Sequence, residues 1–257
     1  MTIKRQRDNQ ANGQAPRLCL VFAPGARPDL SALQALSERV AGETSFSISH
    51  QGPDGEWAEL LANGLTFDCT GLAPGSEQPQ PPIGTPVGLR SMPTGEVVAL
   101  APGPHLSGGA GLLPVLRAIA GLGAALATLP GVKAVVWTPA TSWIAPDLYR
   151  RSIGDWLAGG AFPGLALTAL ERERNGAMLS HGLHLLIGQE VRFEPDKRLS
   201  SATMARLALR LIHELVQSGP LQQERDFKGP DGEHLLAVPV RDGTQVRILL
   251  SGLGGGQ

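Results

Sequence analysis

The chain lacks most of the residues and patterns that announce a function. It has two cysteines in 257 residues, Cys19 and Cys69, both inside apolar strand-like runs, and a disulfide scaffold would need more. It has no excess of charge: lysine plus arginine (22) nearly cancels aspartate plus glutamate (23). That removes the electrostatic footprint expected of a nucleic-acid or anionic-membrane binder. Charged residues are only 18% of the chain, while the 42% hydrophobic share is enough for a globular core. An export signal is missing too. Lys4, Arg5 and Arg7 are followed by the polar stretch DNQANGQAP rather than by an apolar segment. Residues 1–16 are therefore expected to form a flexible tail, and the cytoplasm is the expected compartment.

One run imitates a membrane span, AGLLPVLRAIAGLGAALATLP (110–130). Arg117 near its middle would cost about 3 kcal/mol in a bilayer, and Pro114 and the glycines suit a buried helix better. No membrane contact is expected. Catalytic signatures are equally scarce. There is no G-x-S-x-G elbow. APGPHLSGGAGLLP (101–114) sits between a strand and a helix, as phosphate loops do, but lacks the lysine and Ser/Thr of a Walker loop. Pro114 also occupies the third glycine position of a dinucleotide fingerprint. A flexible connection is expected there, and no cofactor. Apolar surroundings raise a thiol pKa, so neither cysteine is expected to be a nucleophile. Glu171 and Glu173 alternate with Arg172 and Arg174 as a solvated strand end would.

What the sequence does contain is architecture. RLCLVFA (17–23) reads as a strand, and Asp29 as the cap of a helix carrying Leu30, Leu33, Leu36 and Val40. TSFSISH, EWAELLA and LTFDCTG follow as strands, the last two joined at Asn63-Gly64. Prolines and glycines then dominate 73–95, which reads as a linker. Beyond it EVVALA, a helix near 112–129, VKAVVW and a helix opened by Pro146 give an α/β layer. GLALTALERER reads as a strand turned back at Asn175-Gly176. A helix over 201–217 and three short strands end the chain. The expected fold is α+β: an N-terminal βαβββ unit (17–72), the linker (73–95), and a C-terminal region (96–257) ending in a second βαβββ unit. GPDGE recurs at 52–56 and 229–233, in the same place in both units, which suggests an internal duplication.

RNGAMLSHGLHLLIGQEVRF, from Arg174 onward, offers the nearest approach to a metal motif. Zinc-binding helices present two ligands on one face with an acidic residue between, as in H-E-x-x-H. Here His181 and His184 enclose Gly-Leu. The simpler reading is structural: a return strand, Ser180 capping a short helix, Leu183, Leu186 and Ile187 inward, and Gly188 releasing the chain. No metal site is expected. The pattern Ser180-His181-Gly182-Leu183 followed by Gly188-Gln189-Glu190 resembles a bacterial family of proteins, domain of unknown function 4261. ALATLPGVKAVVW (125–137) and RLCLVFAPGARPDLSAL (17–33) fit the same resemblance. It implies an α+β protein with no assigned activity and no assigned catalytic residues.

The best candidate site follows from topology. If strands 96–101 and 132–137 are parallel, loops 102–110 and 138–145 leave from one sheet edge, where α/β layers bind ligands. That edge would gather His105, Ser107, Thr138, Thr141, Ser142 and Trp143. It is polar and aromatic but uncharged, and suits a protein partner, a second copy of the chain or a neutral ligand. The expected function is non-catalytic binding. The alternative is an enzyme acting on a small neutral substrate, centred on His105.

Overall fold

Strand β1 (Leu18–Phe22) is buried at every position, and a strand with no polar face needs a cover on both sides of its sheet. The computed structural model describes residues 18–75, 78–240 and 242–252, together with the backbone but not the side chain of Ser107; the expected tail lies outside them. After β1, the Asp29 carboxylate accepts from Ala32 N–H at 2.8 Å and caps helix α1 (Leu30–Ser37). Strands β2 (Ser47–Gln51), β3 (Trp57–Ala62) and β4 (Leu65–Thr70) form an antiparallel meander. Asn63 and Gly64 both take positive φ between β3 and β4, as a type I′ turn requires. Then come β5 (Thr85–Val87), β6 (Glu96–Pro102), helix α2 (Leu113–Leu126), β7 (Val132–Trp137), β8 (Ser142–Ile144) and helix α3 (Pro146–Leu157). Together the strands make one mixed sheet in the order β2-β3-β4-β6-β1-β7-β8-β5.

The two covers of β1 differ. On the inner face Leu18, Leu20 and Phe22 join the buried side of α2 and residues of α3 in the main core. The membrane-like run is therefore a core helix. Arg117 donates from its guanidinium to the carbonyls of Trp156 (3.3 Å) and Leu157 (2.9 Å), and it lies 5.1 Å above the Trp156 ring. It is a cation at the C-terminal end of α3, where the helix dipole favours one. Among the described residues no helix is long and apolar enough to cross a membrane.

On the outer face Cys19, Val21, Val97, Ala99, Ala134, Val136 and Trp143 form a second, smaller cluster, with Leu89 and Met92 packed against it. The stretch expected as a linker is thus a cover and an edge strand. Proline removes a backbone donor but leaves the acceptor, and this segment is held mainly through acceptors. Pro82 O accepts from Trp143 Nε1–H at 2.9 Å, and Gln78 Oε1 accepts from Val97 N–H at 3.0 Å. β5 pairs in parallel with β8. Gly84 is required beside it, since a Cβ there would lie 1.7 Å from Thr141 O.

The rest of the chain builds a second mixed sheet. Helix α4 (Gly164–Leu167) precedes β9 (Ala169–Arg172), so GLALTALERER is a strand only in its second half. Then follow β10 (Met178–His181), helix α5 (His184–Ile187), β11 (Glu190–Phe193), helix α6 (Ser201–Ser218), β12 (Arg225–Lys228), β13 (His234–Pro239) and β14 (Gln245–Gly252), in the sheet order β12-β13-β14-β11-β10-β9. α6 buries Met204, Leu207, Leu211 and Leu215, the spacing read from the sequence. Val191, Phe193, Val246 and Ile248 belong to the same core as the inner face of the first sheet. The regions before and after the proline-rich stretch therefore share one interior.

Both GPDGE stretches close equivalent hairpins, β2–β3 and β12–β13. In the second sheet β14 lies directly beside β11, in parallel. In the first, β6 is inserted between β4 and β1 and is antiparallel to both, so β4 and β1 are again parallel. The two βαβββ units have the same strand order and directions, apart from that one inserted strand.

The Asp29 cap gives a pH-dependent prediction. Its carboxyl is held below the ordinary range, first by the Ala32 amide and then by the Ser31 hydroxyl. A lowered folded-state pKa gives stability that is fully present above the unfolded value of about 3.9 and is lost as pH falls through the folded one. Asp29→Ala should cost about 1 kcal/mol near neutral pH. In urea denaturation its deficit against the natural protein should narrow once the pH drops below about 4.

Candidate functional site

β6 and β7 are each antiparallel to β1, so they run the same way and their following loops do leave from one edge. They are not neighbours. β1 lies between them, and two strand spacings put the loops roughly 10 Å apart at their roots. The six candidate residues separate accordingly. Thr138 opens a 3-10 turn, Thr138–Ala140, and Thr141 ends it in the left-handed region at φ 49. The loop expected at 138–145 is largely this turn and β8, because its Ser-Trp-Ile can pair with both β7 and β5. Ser142 is fully buried and Trp143 nearly so. Trp143 is committed to Pro82 O, and Thr141 O accepts from Thr85 N–H at 2.9 Å. Trp143 and Thr141 anchor the proline-rich segment, and the buried Ser142 and Trp143 are not open to a ligand.

The β6 side is open. Pro104–Gly109 forms a 3-10 turn containing His105 and the backbone of Ser107. His105 is exposed, with Nε2 3.4 Å from Thr66 Oγ1. Thr66 stands across from Leu61 on the neighbouring strand. At the far end of the loop Leu112 and Leu113 are 62% and 47% exposed, and Leu61 is 38% exposed. Gly109 packs toward Leu112. The loop thus carries an exposed imidazole against the β3–β4 hairpin at one end and two exposed leucines at the start of α2 at the other. Leu61, Leu112 and Leu113 were not recognisable as site residues, since they sit in apolar runs that otherwise fill the core. The only sequence signal was Pro114, which marks a helix beginning and so places Leu112 at a solvent-facing N-cap.

The histidine stretch is a polar lock. Ser180 lies within β10 and does not cap a helix as expected. Its Oγ accepts from Val191 N–H at 2.7 Å and donates to Glu190 Oε2 in a short hydrogen bond. Glu190 Oε1 accepts from His184 N–H at 3.0 Å, so the carboxylate serves the first turn of α5 instead. Gln189 is buried and holds Leu221 through both its amide ends (2.7 and 3.0 Å) and Gly243 O at 3.1 Å. His184 Nδ1 lies 2.9 Å from Gly188 O, and His181 Nε2 lies 2.9 Å from Glu171 Oε2. Gly182, at φ +86, passes so close to Ala140 that a Cβ would meet its methyl at 2.9 Å. This ties the second sheet to the β7–β8 connection. Glu173, the other carboxylate of the charged strand end, pairs with Arg192 at 2.6 Å. Among the described residues no three His, Cys, Asp or Glu side chains lie together as metal ligands would.

A surface groove of about 590 Å³ opens elsewhere, between α2, α3 and the loop before β2. Its rim carries Asp147, Arg150 and Arg151, and the charges are largely used within α3. Arg150 pairs with Asp147 at 3.3 Å, and Arg151 Nε donates to Asp147 O. It shares no residue with the β6 edge. No protein-family model matches the chain, and no curated protein or solved structure matches it significantly.

Two measurements check this reading of the histidine stretch. Ser180→Ala leaves Val191 N–H without its acceptor in a buried ladder, and should lower stability by about 2 kcal/mol in urea denaturation. Excess EDTA should leave the melting temperature within a degree of its untreated value. A large drop would mean that an ion holds the stretch together.

Proposed function

We propose that this protein acts by binding another protein, without catalysis, through the edge formed by residues 102–113 and the β3–β4 hairpin. The observation that carries the reading is the exposure of the adjacent Leu112 and Leu113 (62% and 47%) at the end of the loop that holds His105. Neighbouring exposed apolar side chains mark interaction sites more often than isolated ones do. The balanced charge agrees with a partner recognised by apolar contact rather than by a field. A cytoplasmic setting and membership of domain-of-unknown-function family 4261 are part of the same proposal. The family proposal rests on the sequence motif around Ser180, Gly182, Gln189 and Glu190.

The enzyme alternative draws no support from the geometry. Its central residue, His105, is exposed and its one hydrogen-bond neighbour among the described residues is a hydroxyl at 3.4 Å, and the Ser142 and Trp143 that were to share its site are buried. Crosslinking and affinity capture at native abundance, comparing the natural chain with a Leu112→Asp/Leu113→Asp variant, provide the test. Both side chains are exposed and stand at a helix N-terminus that tolerates acids, so the variant should keep its melting temperature. Capture of a defined partner should fall at least ten-fold. No partner for the natural chain, or equal capture by both, overturns the proposal. Self-association lost in the variant identifies the partner as a second copy.

A further inference from the structure

The outer cover of the first sheet combines two properties that rarely occur together. Beneath it the sheet is closed from solvent: Val136 and Ala134 are 0% exposed, Val21 1% and Cys19 2%. Yet among the described residues between Leu72 and Val97 none is itself buried. The covering segment (78–95) contributes to the outer cluster only the half-buried Leu89 and Met92, and to the main core only the half-buried Val87. Its backbone pairs with the sheet over one three-residue strand. Its polar ties are few: Gln78 to Val97, Pro82 to Trp143, and Ala145 N–H to Val87 O at 2.9 Å. The inner face, by contrast, is sealed by α2, which buries eleven of its fourteen residues.

Local stability follows buried apolar contact and the solvent exposure of the hydrogen bonds. We infer that segment 78–95 is a strap that opens as its own unit, well before the sheet unfolds, and so gives intermittent access to the apolar face around Cys19, Val21 and Val136. The helical core need not move, because Leu18, Leu20 and Phe22 face the other way. Opening also frees the edge of β8, whose Ser142–Ile144 backbone is otherwise paired with β5.

The chain carries its own reporters for this motion. Cys19 lies under the strap, while Cys69 belongs to the main core on the opposite face, and neither is in a disulfide. The test is alkylation of the full chain by iodoacetamide under native conditions, with each thiol followed by peptide mass spectrometry. Cys19 should be modified at least ten-fold faster than Cys69, and its rate should rise only shallowly with urea, since little surface is exposed on opening. Trp143→Phe, which removes the indole N–H that holds Pro82, should raise the Cys19 rate several-fold relative to Cys69. Gln78→Ala should do the same through Val97, and serves if the tryptophan variant folds poorly. Equal rates and equal urea dependence for the two thiols would show that only global unfolding admits the reagent. That outcome, or variants that speed both thiols by the same factor, overturns the inference.

Discussion

Burial of β1 on both faces is the constraint from which the first half of the molecule follows. Leu18, Leu20 and Phe22 point one way and Cys19 and Val21 the other, and all five are within 2% of complete burial. A strand of this kind loses several kcal/mol of apolar burial if either face is left wet. The sheet therefore has to be closed twice. Helices close one face, because α2 offers a surface of Ala, Leu, Val and Ile that can be buried almost all round. The other face is closed by a segment that cannot form a helix or a broad sheet. Its prolines still present carbonyls to the sheet's indole and contribute a short edge strand.

The parts of this arrangement legible in the sequence are those that obey a period. The 3.6-residue spacing of Met204, Leu207, Leu211 and Leu215 gave α6 its buried face, and the Asn63-Gly64 pair placed a hairpin that the structure contains. Asp29 was readable as a cap because it stands just before the first helical leucine, where its carboxylate reaches the amide three positions on. The strap was not readable, because composition describes what a segment cannot do and is silent on what it lies against. Its apolar contributions, Val87, Leu89 and Met92, have no spacing to reveal them. The clue lay elsewhere in the chain, in the unbroken LCLVF of β1, which demands two covers when only one helical layer was in view.

The candidate edge illustrates the same division. That the loops after β6 and β7 share an edge followed correctly from strand direction. That they do not form one site follows from a pairing no local pattern encodes, the insertion of β1 between them. Thr141, Ser142 and Trp143 were polar or aromatic in a presumed loop and so looked functional. Their polar groups are spent locally: the Trp143 indole on Pro82 O, the Ser142 hydroxyl on Ala140 O, and the Thr141 carbonyl on Thr85 N–H. The histidine stretch fails as a ligand set for a related reason. Buried backbone groups need partners, and Ser180, Glu190 and Gln189 supply them to Val191, His184, Leu221 and Gly243. Polar residues close in sequence can thus reflect donors and acceptors left over by a broken ladder rather than chemistry.

The repeated βαβββ units show how sequence, not topology, decides which surface stays open. β1 and β11 hold corresponding places, each flanked on one side by an antiparallel strand and on the other by the meander that ends its unit, β11 directly and β1 through the inserted β6. β11 reads Glu-Val-Arg-Phe and alternates, half-buried then buried. Val191 and Phe193 meet α6, and Arg192 turns outward. There it pairs with Glu173 at 2.6 Å and Glu194 at 3.3 Å, and Arg247 reaches Glu194 at 2.7 Å. That face is solvated and needs no cover, and among the described residues no counterpart of the strap precedes or follows it. In β1 the outward positions are Cys19 and Val21, which have no such use for water. The inserted β6, with Val97 and Ala99 outward, widens the apolar area further. Once those positions became apolar, an uncovered face would have been an aggregation-prone surface. The proline-rich segment entering β6 is the part of the chain placed to close it.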